Sequence, residues 1–267
     1  MIYNRAARVL RSLLRPEVAV RAVLKRFKIG SLDFRLDFQA LEKNQYAFGV
    51  RQAIYLASKL NHRSVSVIEF GVDRGAGLLA LELYAAEYGR RAGIDVEVYG
   101  FDLGSGLPSP SDYRDLGYVW KKGAYTMDVP ALQSRLTTAR LVLGNVADTV
   151  TQFIHMDHAP VGFMSFDMDY YTSTVAAFEI FRAADRRLLP RVFCYFDDID
   201  SDGHQMHCED VGELLAIREF NEQSGPTHKL RPTHMLTSPT LFEAPWGRQF
   251  RVYHRFTHAD YNSYIGA

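Results

Sequence analysis

SVSVIEFGVDRGAGLLALELYAAEYGRRAG, residues 64–93, passes from a β-branched apolar run through an acid and a glycine-rich turn into a segment of helix formers. That order spells strand, turn, helix. Upstream, AFGVRQAIYLASKL spaces Phe48, Ile54, Leu56 and Leu60 as a helix with one buried face, ending near Asn61. Downstream, VEVYGFD reads as a strand closing on Asp102, and GSGLPSPSD as a loop. Residues 131–136 then form a short helix and ARLVLGNV a strand leading to Asn145. VGFMSFDMD is a buried strand ending in acids, and TSTVAAFEIFRAADRRLL is a helix capped by Thr172 or Ser173. VFCYFDDID is a second buried strand ending in acids. After about residue 205 the strand signals weaken, and residues 240–256 are the candidate for the last antiparallel strands. Strands and helices alternating at these lengths imply an α/β fold, a mostly parallel sheet with helices on both faces. Ligands of such sheets collect at the carboxyl ends of the strands, where these acids cluster.

Composition narrows the function classes. Among 267 residues, 31 Lys and Arg balance 31 Asp and Glu, so no global field draws the chain to nucleic acid. Cys194 and Cys208 have no zinc or disulfide spacing, which suits a reducing cytoplasm. No run of about 18 apolar residues suggests a transmembrane helix. Residues 1–28 hold Arg5, Arg8, Arg11, Arg15, Arg21, Lys25, Arg26 and Lys28 against the single acid Glu17, with Leu10, Leu13, Leu14, Val18 and Val20 between them. The arginines interrupt any signal-peptide core. Such a basic amphipathic segment suits a helix packed on its own domain or on a sister subunit. Weak contact with an anionic membrane surface is the alternative.

Glu69, Gly71, Gly75 and Gly77 bring the backbone N–H groups of the turn close to a ligand. Asp73 stands where a dinucleotide fingerprint needs glycine, which disfavours a nicotinamide cofactor. S-Adenosylmethionine, lacking a pyrophosphate, fits better. Asp102 is placed to accept hydrogen bonds from ribose hydroxyls or, more plainly, to cap the next turn. Asp167 and Asp169 point to opposite faces if their strand continues and converge if it turns. With Asp197, Asp198 and Asp200 on the expected neighbouring strand, these carboxylates repel unless a cation lies between them. All-oxygen ligation selects a hard ion: Mg²⁺, or Ca²⁺ or Mn²⁺. Asp169 is the first candidate for general base, with His204 and His207 as rivals.

The blocks EFGVDRGAG, FDLGSGLP, LGNVADTV, FDMDYYTSTVAAFE and YFDDI, across residues 65–200, resemble in order and spacing the macrocin O-methyltransferase family of sugar O-methyltransferases. The resemblance implies a Rossmann-like class I methyltransferase fold with an antiparallel C-terminal strand. It divides the chain into a helical segment over 1–45, serving as lid or oligomer contact, and an S-adenosylmethionine-binding domain over 46–267. By position, Glu69, Gly71, Val72 and Gly75 would line the methionine side of the cofactor, Asp102 the ribose and Asn145 the adenine. Asp167, Asp197 and Asp198 would hold Mg²⁺, with Asp169 the base. A small hydroxylated acceptor, a glycoside among the candidates, and a homo-oligomer are then expected. The sequence departs from the family at Asp73, where an aromatic residue is usual, at Pro190 and Arg191 in place of a glycine pair, and at Ile199 in place of a tyrosine expected at the acceptor pocket. Two other functions share the turn and acid pattern: a cephalosporin-hydroxylase-like protein and a non-catalytic cofactor-binding protein.

Overall fold

The computed structural model describes residues 16–200, 206–233 and 244–266. Eight α-helices and seven strands are described: α1 (Pro16–Phe27), α2 (Leu32–Asp37), α3 (Asn44–Lys59), β1 (Ser64–Phe70), α4 (Ala76–Ala92), β2 (Asp95–Asp102), α5 (Val129–Gln133), β3 (Arg140–Leu143), α6 (Val146–Phe153), β4 (Val161–Phe166), α7 (Tyr171–Ala177), β5 (Leu188–Phe196), α8 (Gly212–Gln223), β6 (His228–Pro232) and β7 (Phe250–Arg255). They form one sheet of order β3-β2-β1-β4-β5-β7-β6. Strands β1 to β5 pair in parallel, and β7 runs against both of its neighbours.

The apolar runs read as buried strands lie at the centre, because only a strand covered on both faces has no use for alternation. Every residue of β4 is buried. Helices α3 and α4 close one face through Phe48, Ile54, Leu78 and Tyr84. Helices α6, α7 and α8 close the other through Phe153, Tyr171, Leu215 and Ala216.

Four phenylalanines lock the register at the carboxyl ends of the strands. Phe101 of β2, Phe70 of β1, Phe166 of β4 and Phe196 of β5 are direct partners in the ladder. Their rings lie 5.0, 5.1 and 4.7 Å apart in sequence across the sheet. Cross-strand aromatic pairs stabilise one register over its neighbours, and a slip of one residue would turn every side chain to the other face. The next residue on each strand is therefore also in line: Asp102, Gly71, Asp167 and Asp197.

Three expectations are corrected. The helix read over TSTVAAFEIFRAADRRLL ends at Ala177, tightens to a 3-10 turn over Phe178–Arg182, and gives way to β5 at Leu188. Its last leucines belong to the sheet. Neither Thr172 nor Ser173 is the N-cap, since Tyr170 holds that position and Thr172 turns to Asp115, to which its backbone N–H donates at 2.9 Å. Pro190 and Arg191 lie inside β5 and form no turn before it. The proline falls where the β4–β5 register shifts, a place that tolerates a missing N–H.

Phe166 touches Phe70 and Phe196 in the ladder and Phe178 on the helical side. Phe166→Ala should cost about 3–5 kcal/mol of stability, measured by urea unfolding. An unchanged midpoint would show that the ladder does not hold these strands.

Candidate functional site

The carboxyl ends of β1, β2, β4 and β5 open into a cavity of about 640 Å³. Its wall includes Glu69, Gly71, Val72, Asp102 and Asn145 on one side and Asp167, Asp169, Asp197 and Asp198 on the other. Gly75 is absent from the wall. It caps α4 in the left-handed region, and a Cβ there would meet Leu132 at 2.1 Å.

The turn after β1 is held by its neighbours. Asp102 Oδ2 accepts hydrogen bonds from the N–H groups of Val72 at 2.8 Å and Asp73 at 3.2 Å, and Oδ1 accepts from Gly104 at 2.6 Å. Asp102 therefore does cap its own turn, and it also fastens the glycine-rich turn to β2. Gly71 has φ +84°, and a Cβ on it would fall 1.8 Å from the Asp167 carbonyl oxygen. The two halves of the cavity touch at that point, where only glycine fits. Asn145 caps α6, its side chain accepting from Ala147 N–H at 3.0 Å.

Glu69 is buried, and Tyr46 Oη donates to its Oε1 at 2.7 Å, with Ser165 Oγ donating to the tyrosine oxygen at 2.8 Å. Glu69 Oε2 is buried without a hydrogen-bond partner. Burial, only partly opposed by the Tyr46 hydrogen bond, pushes Glu69 up to about 8. A carboxylate with one unsatisfied oxygen in a cavity wall is a receptor for a donor brought by a ligand.

At the acidic end, β4 stops at Phe166 and the chain turns, so Asp167 and Asp169 converge on one cavity. Asp169 makes that turn at φ 62°, a strained conformation for a residue with a Cβ, and its N–H donates to Asp198 Oδ2 at 3.1 Å. Burial first, then the charges of Asp198, Asp167 and Asp197, raise Asp169 to about 9. Burial and the charges of Asp197 and Asp198 raise Asp167 to about 8. Burial and the Asp197 charge raise Asp198 to about 7. Asp197 Oδ1 accepts from Tyr195 Oη at 2.7 Å. Among the described residues, no three His, Cys, Asp or Glu side chains stand in a ready-made metal-ligand arrangement.

Glu213, Lys43 and Tyr125, which no sequence motif marks, complete this end. Glu213, in the first turn of α8, is fully buried, and its Oε2 accepts from Asp198 N–H at 3.1 Å. Burial and the charge of Asp198 hold its carboxyl far above the usual range. Lys43 enters from the start of α3 with Nζ 3.9 Å from Asp167 Oδ2. Tyr125, on the loop after β2, lines the cavity, and burial followed by the charges of Asp169, Asp198 and Asp167 pushes its phenol up to about 12. His207 Nδ1 lies 2.9 Å from the Asp198 carbonyl oxygen, and His204 lies outside the described residues. Ile199 is no cavity residue; it packs against the core on the α7 and α8 side.

No family model matches the sequence, and no curated protein does. Among solved structures, the chain is similar to the calicheamicin methyltransferase CalS11, with 19% identity, 79% of this chain and 78% of that one covered, and a TM-score of 0.52. It is likewise similar to the O-methyltransferase NovP, with 15% identity, 78% of each chain covered and a TM-score of 0.51. The shared architecture is the Rossmann-like class I methyltransferase fold, and this chain has it. No described helix is long and apolar enough to cross a membrane.

The raised carboxyls make stability depend on pH. Between the ordinary carboxylate range and the values of about 7 to 9 at Asp198, Asp167 and Asp169, the folded chain holds protons that the unfolded chain has lost. Stability must then fall as pH rises through that window, by about 1.4 kcal/mol per pH unit for each retained proton. In chelator, the melting temperature should drop from about pH 6 to about pH 9, and Asp169→Asn should flatten the drop. A level profile would contradict the crowding of these groups.

Proposed function

We propose that the chain is an S-adenosylmethionine-dependent O-methyltransferase that works with a hard divalent cation, Mg²⁺ first, on a hydroxyl of a sugar or other small molecule. One observation carries the reading: a single cavity joins an unsatisfied buried carboxylate at the glycine-rich turn to crowded carboxylates at the next two strand ends. The fold supports the cofactor class, and the similarity to a calicheamicin methyltransferase and to an O-methyltransferase supports the acceptor class.

The residues fit both groups. Glu69 Oε2 would receive the ammonium of the cofactor's methionine end, Asp102 the ribose hydroxyls and Asn145 the adenine edge, with Gly71 and Val72 between. Asp167, Asp197 and Asp198 would hold the cation, whose charge would offset the burial and then the repulsion that raise Asp167 and Asp198. When bound, the cofactor supplies an electrophilic methyl and the cation a Lewis acid that acidifies a hydroxyl. Asp169, which faces the same cavity, would in its ionised form take the proton of the acceptor hydroxyl. Glu213 holds Asp198 through its backbone and does not reach the cavity. Lys43 and Tyr125 face the same acids and orient the acceptor against them.

Calorimetry separates this reading from a nicotinamide-dependent one. S-Adenosylmethionine should bind and NAD should not, with Asp102→Ala weakening the former by roughly tenfold or more. Binding of NAD alone would overturn the proposal. Asp198→Asn should abolish metal-dependent turnover with any acceptor that supports it, while cofactor affinity stays within about twofold of the parent. Full turnover in that variant would remove the cation from the mechanism.

A further inference from the structure

Helix α1 buries only Leu24. Val20, Val23 and Phe27, spaced to share one helix face, are 40, 47 and 68% exposed, and Ile29 just beyond them is 47% exposed. Exposed apolar side chains gathered on one helix face mark a surface that meets something. Around them lie Arg26, whose guanidinium sits 5.7 Å from the Phe27 ring, and the exposed Lys28. Lys25 pairs with Glu42 at 2.9 Å. The neighbouring Lys43 reaches Asp167 at the cavity. The helix is thus anchored one residue away from the cavity wall.

We infer that this face docks the protein on an anionic phospholipid bilayer, with Val20, Val23, Phe27 and Ile29 entering the interface and Arg26 and Lys28 meeting the headgroups. Charge decides between occupants. The chain as a whole is neutral, yet the described residues 16–28 carry Arg21, Lys25, Arg26 and Lys28 against the single acid Glu17, and the basic residues at 5, 8, 11 and 15 lie outside the described residues. A second copy docked so that this face met its own equivalent across a two-fold axis would set like charge against like. An anionic surface attracts the same charges while taking up the apolar side chains between them. The inference does not rest on the reaction assigned above.

The test is co-sedimentation of the full chain with vesicles of equal phosphatidylglycerol and phosphatidylcholine, and with phosphatidylcholine alone. The mass of the lipid-free protein is measured by light scattering. Binding to the anionic vesicles is expected, weaker by roughly tenfold on the neutral ones and at high ionic strength. V23D/F27D and R26E/K28E should each reduce it by a similar factor without changing the melting temperature, since these positions are exposed. No binding to anionic vesicles, or binding indifferent to both double variants, would overturn the inference. So would a lipid-free dimer that V23D/F27D converts to monomer, which would make the face a subunit contact.

Discussion

The phenylalanine ladder at the carboxyl ends of β2, β1, β4 and β5 is the constraint on which the site depends. Four buried rings in register leave each strand no freedom to slip, and the residue after each ring falls in one row. That row contains the acid that fastens the glycine-rich turn, the glycine that lets two loops touch, and the first acids of the crowded cluster. Packing on one side of the sheet edge thus sets the chemistry on the other.

The two ends of the cavity differ in how they treat charge. At the turn, Asp102 is satisfied by three backbone N–H groups and serves as a fastener. At the acidic end, Asp167, Asp169 and Asp198 have neighbours of their own sign, with Glu213 buried behind them and Lys43 in opposition to Asp167. An arrangement that keeps such groups together against burial and repulsion, with Asp169 in the left-handed region, costs stability. On the function proposed above, a hard cation with oxygen ligands would resolve this arrangement, and a hydroxyl is the group that such a cation activates.

Most of the fold was legible because its signals are local. The run over 64–93 gave β1, the turn and α4, and the acids at 167 and 197 marked the ends of β4 and β5. The recurrence of Phe before Asp or Gly at 101, 70, 166 and 196 was also present in the sequence and would have announced the ladder. What escaped depends on contacts distant along the chain. Glu213 meets Asp198 across 15 residues that hold no periodic pattern, and Thr172 turns to Asp115 from 57 residues away. The helix ending at Ala177 was overextended because Leu188 and Leu189 continue its apolar pattern, which cannot distinguish a helix end from a buried strand start. Helix α8 and strand β6 lay unread beyond residue 205, where polar residues dilute the pattern.

The central claim is that the crowded carboxylates take a divalent cation. Titrating Mg²⁺ into metal-free protein near neutral pH, in buffers of different ionisation enthalpy, measures binding and proton release together. One cation per chain, bound with release of protons and lost in Asp167→Asn, is the predicted result. Heat no greater than dilution, or the same binding in Asp167→Asn, would contradict it.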